Sequence, residues 1–322
     1  MPHLPKAGPD TGVFSTLEVR PRNKPAKLTS RNIAFPAHHY DEAPNVAAGF
    51  KMLDLSHEAP IRANLVGSDM TPEGFKILFE TWGGGKLYAA EAQWIEHKRG
   101  AKECFFGQFD TRDMRRNRKL QSDAASTSSS STSPEANGTG NTANSNTTSQ
   151  IRQQNAKRLK FPRPFDEPPQ VICWLNRIDM ASGDERNWRV SAHASRITPQ
   201  GFVGHLDAWG DTELEGAAMC WIAFPRHKRK VASGTFGTSD VRPWHDPRQR
   251  NRGRVKFEEG AFEKPPTVLV ALNMIDMAGN ADLRVKVWVE EVDKDGFTWH
   301  LDTWDDSTMY GAAASWIALG FV

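Results

Sequence analysis

The segment Gly296-Phe297-Thr298-Trp299-His300-Leu301-Asp302-Thr303-Trp304-Asp305-Asp306-Ser307-Thr308-Met309-Tyr310, continuing through Gly311 to Trp316, reads as strand, turn, strand. Phe297, Trp299, Leu301 and Thr303 alternate with Thr298, His300, Asp302 and Trp304, so Trp304 shares a face with polar side chains. A large aromatic there, followed by Asp305 and then Tyr310, has two readings. One is a wet binding pocket; the other is a Trp that covers a sheet edge or lies in an interface.

Self-comparison shows that this segment has two siblings. Three times the chain opens a unit with Gly-x-Phe-x-Thr-x-acid-x-Arg: Gly12, Phe14, Thr16, Glu18, Arg20; Gly107, Phe109, Thr111, Asp113, Arg115; Gly234, Phe236, Thr238, Asp240, Arg242. A second Phe follows 21 positions after the first in units one and three but 52 positions after it in unit two. The excess coincides with a Ser/Thr/Asn/Gly-rich run, and RQQNAKRLKF (from Arg152) then aligns with RQRNRGRVKF (from Arg248). With almost no apolar side chains to offset ordering entropy, the run at about 121–151 is expected to be a disordered insertion within unit two.

Each unit continues with an aromatic, Pro and apolar signature (YDEAPNV from Tyr40, FDEPPQV from Phe165, FEKPPTV from Phe262), and Pro suits the start of a strand. The strand reaches Asp54, Asp179 or Asp276; next come Arg62, Arg189 or Arg284, and then a hairpin (TPEGF, TPQGF, DKDGF) whose Gly is expected at positive φ. Trp82, Trp209 and Trp304 follow, and after them Trp94, Trp221 and Trp316 in Ala-lined strands that suit core or inter-subunit packing. Short alternating strands, Gly/Pro turns and no helical period predict an all-β chain of three tandem antiparallel β-sandwiches at 11–97, 107–225 and 233–322.

Composition narrows the function. A net charge of +2 gives no general case for nucleic acid, and RHKRK (from Arg226) reads as a solvated connection. The start, MPHLPKAGPD, lacks an apolar h-region, and no apolar run reaches the roughly 20 residues of a membrane span. The expectation is a chain without membrane insertion, cytoplasmic or released without a conventional signal peptide. Cys104, Cys173 and Cys220 have no CxxC spacing and suit free thiols. His193, His205 and His300 lie on strands without ligand spacing, so neither metal nor other cofactor is expected.

These motifs resemble the H-type lectin family, the fold of the snail agglutinins and the discoidin C-terminal domain, over roughly 12–97, 107–224 and 234–320. The likeness is strongest in PPTVLVALNMIDM (from Pro265), LRVKVW (from Leu283), GFTWHLDTW (from Gly296) and SWIAL (from Ser315). It implies six-stranded sandwiches, trimeric association mimicked within one chain as a pseudo-trimer, and no enzymatic activity. It further implies metal-independent, multivalent binding of glycans ending in N-acetylgalactosamine or galactose, as in agglutination and cell adhesion. By the same resemblance the contacts are an Arg, a Trp and the residue after it, a Tyr six positions past that Trp, and an acid in the N-terminal loop. Unit three then supplies Arg284, Trp304, Asp305 (where the snail protein has His) and Tyr310, with Asp246 or Asp240 as the acid. Unit one supplies Arg62, Trp82, Gly83 and Tyr88; unit two supplies Arg189, Trp209 and Gly210, with Glu215 replacing the Tyr.

The residue types suit that task independently. An aromatic ring packs on the apolar C–H face of a galactose-type sugar, while an Arg fork and a carboxylate bond its hydroxyls. Against this, Arg62, Arg189 and Arg284 could pair with Glu18, Asp113 and Asp240 or with the strand Asp residues, leaving a protein-interaction scaffold. A glycosidase needs two facing carboxylates, one with a raised pKa. Asp305 and Asp306 are adjacent in sequence and fit that geometry poorly.

Overall fold

Pro44, Pro169 and Pro266 each immediately precede an eleven-residue strand, as the missing proline N–H requires. The structure is a computed structural model that describes residues 10–114, 154–183 and 186–320, so the insertion expected at about 121–151 lies outside the described residues. The first repeat supplies β1 (Asp10–Ser15), β2 (Leu28–Ala34), β3 (Asn45–Leu55), β4 (Ile61–Thr71), β5 (Gly74–Glu80) and β6 (Leu87–His97). The second supplies β7 (Phe105–Asp110), β8 (Ala156–Lys160), β9 (Gln170–Met180), β10 (Trp188–Thr198), β11 (Gly201–Asp207) and β12 (Leu214–Phe224). The third supplies β13 (Val231–Gly237), β14 (Arg250–Lys256), β15 (Thr267–Met277), β16 (Leu283–Asp293), β17 (Gly296–Asp302) and β18 (Met309–Leu319).

Each repeat folds as two three-stranded halves, and each half is completed to a six-stranded sheet by a neighbouring repeat. The sheet orders are β1-β6-β3-β16-β17-β14, β2-β5-β4-β9-β12-β7 and β13-β18-β15-β10-β11-β8. All pairings are antiparallel, and three joints carry the continuity: β4 on β9, β10 on β15, and β16 on β3. Because the third repeat pairs back onto the first, the repeats close a ring with pseudo-threefold order. This refines the expectation of a separate six-stranded sandwich per repeat, since every sheet is shared. Sharing pairs six strands, two at each joint, that would otherwise be edges.

The opening signature is a packing device. Gly12, Gly107 and Gly234 stand opposite Trp94, Trp221 and Trp316 in the strand registers. A Cβ at Gly12 or Gly107 would fall well inside van der Waals contact with the facing indole, and one at Gly234 would come to 3.0 Å. Phe14, Phe109 and Phe236 are core residues, and the hydroxyls of Thr16, Thr111 and Thr238 accept the backbone N–H of Ala90, Ala217 and Ala312 at 3.0–3.1 Å. The signature acid caps the turn that follows: Glu18 accepts from the Ser15 N–H and Asp240 from the Gly237 N–H.

Of the hairpin glycines expected at positive φ, Gly74 has it, at 158°, and Gly201 and Gly296 do not. The left-handed residues are Asp69, Arg196 and Glu291, within register shifts of β4–β5, β10–β11 and β16–β17. Gly74, Gly201 and Gly296 are needed instead for close approach, because a Cβ there would collide with the carbonyl oxygens of Ile33, Leu159 and Val255.

A second apolar cluster lies among the three repeats, built from Ala47 and Ile95, from Ile172, Trp174, Cys220, Ile222 and Phe224, and from Leu269, Ala271 and Ile317. Trp174 occupies a position whose counterparts are Gly49 and Ala271, and a Cβ at Gly49 would clash with both. The Trp174 indole donates to the Ser315 carbonyl at 3.1 Å. One large and two small side chains therefore share a space that three copies of any one of them would not fill well. The three cysteines are free thiols, and burial pushes Cys220 and Cys104 up to about 12, so they are poor nucleophiles. Among the described residues no helix is long and apolar enough to cross a membrane.

Candidate functional site at the joints between repeats

Each joint brings the strand Arg of one repeat opposite the strand Asp of the next: Arg62 faces Asp179, Arg189 faces Asp276, and Arg284 faces Asp54. Arg62 Nε donates to Asp179 at 2.8 Å and Arg189 Nε to Asp276 at 3.0 Å. At the third joint Arg22 has taken the acid, donating from Nε to Asp54 Oδ2 at 2.6 Å, so Arg284 Nε stands 3.6 Å from Asp54. The arginines thus pair with strand acids, and with those of the neighbouring repeat. Glu18 and Asp240 are held by their caps, so Asp240 is tied to its own turn and is not drawn toward Arg284.

The residue after each tryptophan has a shared backbone reason. Gly83, Gly210 and Asp305 are all left-handed, with φ of 51°, 63° and 54°. Glycine adopts that conformation freely and Asp tolerates it. At Gly83 and Gly210 a side chain would also strike Nη1 of Arg62 or Arg189, and Arg62 Nη1 donates to the Gly83 carbonyl at 2.7 Å. Where Asp305 supplies that side chain, Arg284 turns to Asp306 (2.5 Å), Ser307 (3.1 Å) and Asp282 (2.7 Å). The Arg284 bond holds the Asp306 carboxyl below the usual carboxylate range, the opposite of what a general acid requires.

The tyrosines do not belong with the arginines of their own repeat. Tyr310 lies on β18 where that strand pairs with Asp276 and Met277 of β15, which places it at the Arg189 joint. Tyr88 lies where β6 pairs with Asp54 and Leu55, which places it at the Arg284 joint. Glu215 holds the corresponding place at the Arg62 joint. By strand register the grouping of Arg284, Trp304 and Asp305 with Tyr310 is therefore redistributed: the first three share a joint with Tyr88, and Tyr310 shares one with Arg189, Trp209 and Gly210. Among the described residues, Arg62, Trp82 and Gly83 share their joint with Glu215 in the place that a tyrosine holds at the other two.

Each joint has its own electrostatics. At the first, Trp82 has the Arg177 guanidinium 4.3 Å from its ring centre and that of Arg62 at 6.0 Å. At the second, Arg189 also binds Asp211, and burial raises the Asp276 pKa against the pull of Arg189. Tyr310 meets Trp244, which is 69% exposed, edge to face at 6.4 Å. The Asp246 loop is thereby set beside the second joint, with Asp246 accepting from Arg248 at 2.6 Å. At the third, Arg22 and Lys86 lie over the Tyr88 ring at 4.9 and 5.0 Å. Arg284 is 7% exposed, and all three of its nitrogens have carboxylates within 4 Å.

Trp304 lies just beyond the end of β17, half-buried, while Trp299 on the inward face stacks on Phe236 at 4.8 Å. Trp94, Trp221 and Trp316 are buried core residues. Sequence reasoning missed Arg22, Trp244 and Arg177. Arg22 and Trp244 stand ten positions after Gly12 and Gly234, so the ruler that aligned the repeats also marked their shared place. Arg177 carried no such signal, because its role arises from a neighbouring repeat's Trp82.

Arginine forks, carboxylate acceptors and partly exposed aromatic rings at these joints can grip a polyhydroxylated ring with one apolar face. Comparison with known proteins gives three matches of the H-type lectin domain, at residues 30–95, 156–224 and 252–319. The chain is also similar to the protein described as "ATP synthase subunits region ORF 7" from Fuscovulum blasticum, 31% identical over 64 residues, which are 20% of this chain and 55% of that protein. The chain thus spans about half the length of that curated relative.

Proposed function

The chain belongs to the H-type lectin family, whose domains are non-catalytic carbohydrate-binding modules, and on that premise we propose that it binds terminal N-acetylgalactosamine or galactose at its inter-repeat joints, multivalently and without metal. The observation that carries this reading is the recurrence, at each joint, of an Arg–Asp pair beside a half-buried Trp. The joint between the second and third repeats is the principal site. Arg189 and Asp276 supply donor and acceptor for adjacent hydroxyls; Trp209, Tyr310 and the exposed Trp244 supply apolar walls; Gly210 lets the guanidinium reach the surface. Each charge-assisted bond contributes about 1.5–3 kcal/mol, so one joint binds weakly. Several joints on one rigid ring raise avidity by about 10² to 10⁴ and suit cross-linking of glycan-bearing surfaces.

One observation favours a scaffold role at the third joint. Arg284 is already surrounded by Asp54, Asp282, Asp305 and Asp306, and Arg22 covers Tyr88. Sugar hydroxyls there have to displace internal partners. A glycan array probed with the full chain tests both readings. Binding to terminal N-acetylgalactosamine or galactose that falls in Arg189→Ala and persists in Arg284→Ala supports the proposal. A silent array, or one unchanged in Arg189→Ala, overturns it in favour of a scaffold.

A further inference from the structure

Away from the joints, β10 and β11 present a cluster of ligating side chains on their outward face. Val190 and Ala192 of β10 and Leu206 of β11 point into the core, so the alternating residues His193, His205 and Asp207 point out. His193 stands directly opposite His205, and Asp207 stands opposite Ser191. The imidazoles are parallel, 4.4 Å between centres and 1° between planes. His205 Nδ1 and Asp207 Oδ2 are 3.5 Å apart, and one ligand atom from each of the three residues lies within 4.8 Å of the others.

We propose that His193, His205 and Asp207 form a binding site for a divalent transition ion of the zinc class on the outer face of the second repeat. Four-coordinate zinc bonds nitrogen and oxygen at about 2.0–2.2 Å, which sets its ligands roughly 3.3–3.5 Å apart. The His205–Asp207 edge already has that length. His193 is exposed, and its ligand atom lies within 4.8 Å of those of His205 and Asp207. The supports of a metal site are also in place. Ser195 Oγ lies 2.8 Å from His205 Nε2, so Nε2–H can donate to it while Nδ1 offers its lone pair. The Asn155 backbone N–H holds Asp207 Oδ1 at 2.9 Å, leaving Oδ2 turned toward the ring. Two imidazoles and one carboxylate leave a fourth position open to solvent or to a donor from another molecule.

The sister repeats show what the same platform does without this triad. In the first repeat the positions are Val66, Leu78 and Glu80, which cannot chelate. In the third they are Trp288, His300 and Asp302, in the same register. There the indole stacks on His300 at 3.8 Å and donates to Asp302 Oδ2 at 2.9 Å. An internal N–H thus occupies the place that the cation takes in the second repeat. Sequence spacing set His193 and His205 aside as ligands because their proximity is cross-strand.

The test is calorimetric titration of the untagged, chelator-stripped full chain with Zn²⁺. The expected result is one saturable equivalent whose affinity falls more than about 10-fold in His193→Ala, His205→Ala and Asp207→Asn but is retained in His300→Ala. Substitution with Co²⁺ should give the visible spectrum of a four-coordinate nitrogen and oxygen site without a thiolate band. His193 is exposed, so its replacement is expected to leave the fold intact, and a thermal melt of that variant checks this. Absence of saturable binding, or binding unchanged in His193→Ala, overturns the proposal and leaves an adventitious ion only.

Discussion

Asp54 on β3 and Arg284 on β16 stand opposite each other across the seam where the last repeat meets the first. Asp54 is 2% exposed and is shared: Arg22 bonds both oxygens, Oδ2 at 2.6 Å and Oδ1 at 3.3 Å, while Arg284 Nε stands 3.6 Å from Oδ1. The equivalent acids at the other joints bond their arginines directly. Ring closure therefore rests on a buried carboxylate with two cationic claimants.

Replacing Asp54 with Ala should cost about 1–3 kcal/mol, because Arg22 loses its two-point acceptor and Arg284 Nε loses its nearest carboxylate. Urea denaturation measures this. Replacing Arg284 with Met as well should deepen the loss, since it also strands Asp282 and Asp306. Recovery of stability in the double variant would show that Asp54 is the main partner of Arg284.

Glycine-to-alanine changes opposite the core tryptophans should rank by available space. Gly107→Ala and Gly12→Ala force the facing indole to move and should lose about 1–3 kcal/mol, whereas Gly234→Ala, with 3.0 Å available, should lose less. Thermal melts of the three variants give the order directly.

Trp174→Ala should cost about 3–5 kcal/mol, because Gly49 and Ala271 are too small to fill the vacated axis. A denaturation midpoint within experimental error of the parent would mean that the axis collapses to close the gap.

Glu96 makes a pH prediction. It is fully buried, accepts from the Tyr40 hydroxyl at 3.0 Å, and has its pKa pushed up to about 7 by burial. The folded state therefore holds this proton more tightly than the unfolded state, whose glutamate titrates near 4.5. Between those values the folded state binds more protons, so stability falls as pH rises from about 4.5 to about 7. Glu96→Gln should flatten that decline, with its largest gain above pH 7 and little effect near pH 4. Stability measured across that range checks the slope.

The redistribution of the tyrosines predicts a pattern of coupling in glycan binding, given the proposed sugar site. Arg189→Ala and Tyr310→Ala should be non-additive because they act at one joint, while Arg284→Ala and Tyr310→Ala should add independently. Affinities from a glycan surface for the singles and doubles decide between these groupings.

Much of this was legible in one dimension. The Gly-x-Phe-x-Thr ruler located every repeat, because its Gly must face a Trp, its Phe must fill a core and its Thr must accept a specific N–H. The candidate arginines and tryptophans followed from that spacing, as did the core role of Trp94, Trp221 and Trp316. The sharing of each Asp with the next repeat's Arg was not legible, since nothing in a local pattern says whose sheet continues whose. Gly201 and Gly296 were misjudged for a related reason: the demand on them comes from carbonyls of a neighbouring strand and not from their own dihedrals.

The sequence by itself determined the repeat, the strand content and the residue types available for binding, because alternation and fixed spacing are properties of the chain alone. Only the tertiary structure decided which of those residues meet. Strand pairing across β4–β9, β10–β15 and β16–β3 moved Tyr310 to Arg189 and Tyr88 to Arg284. Backbone hydrogen bonding between repeats depends on the closed ring, and the proposed binding joints exist only where that ring brings two repeats together.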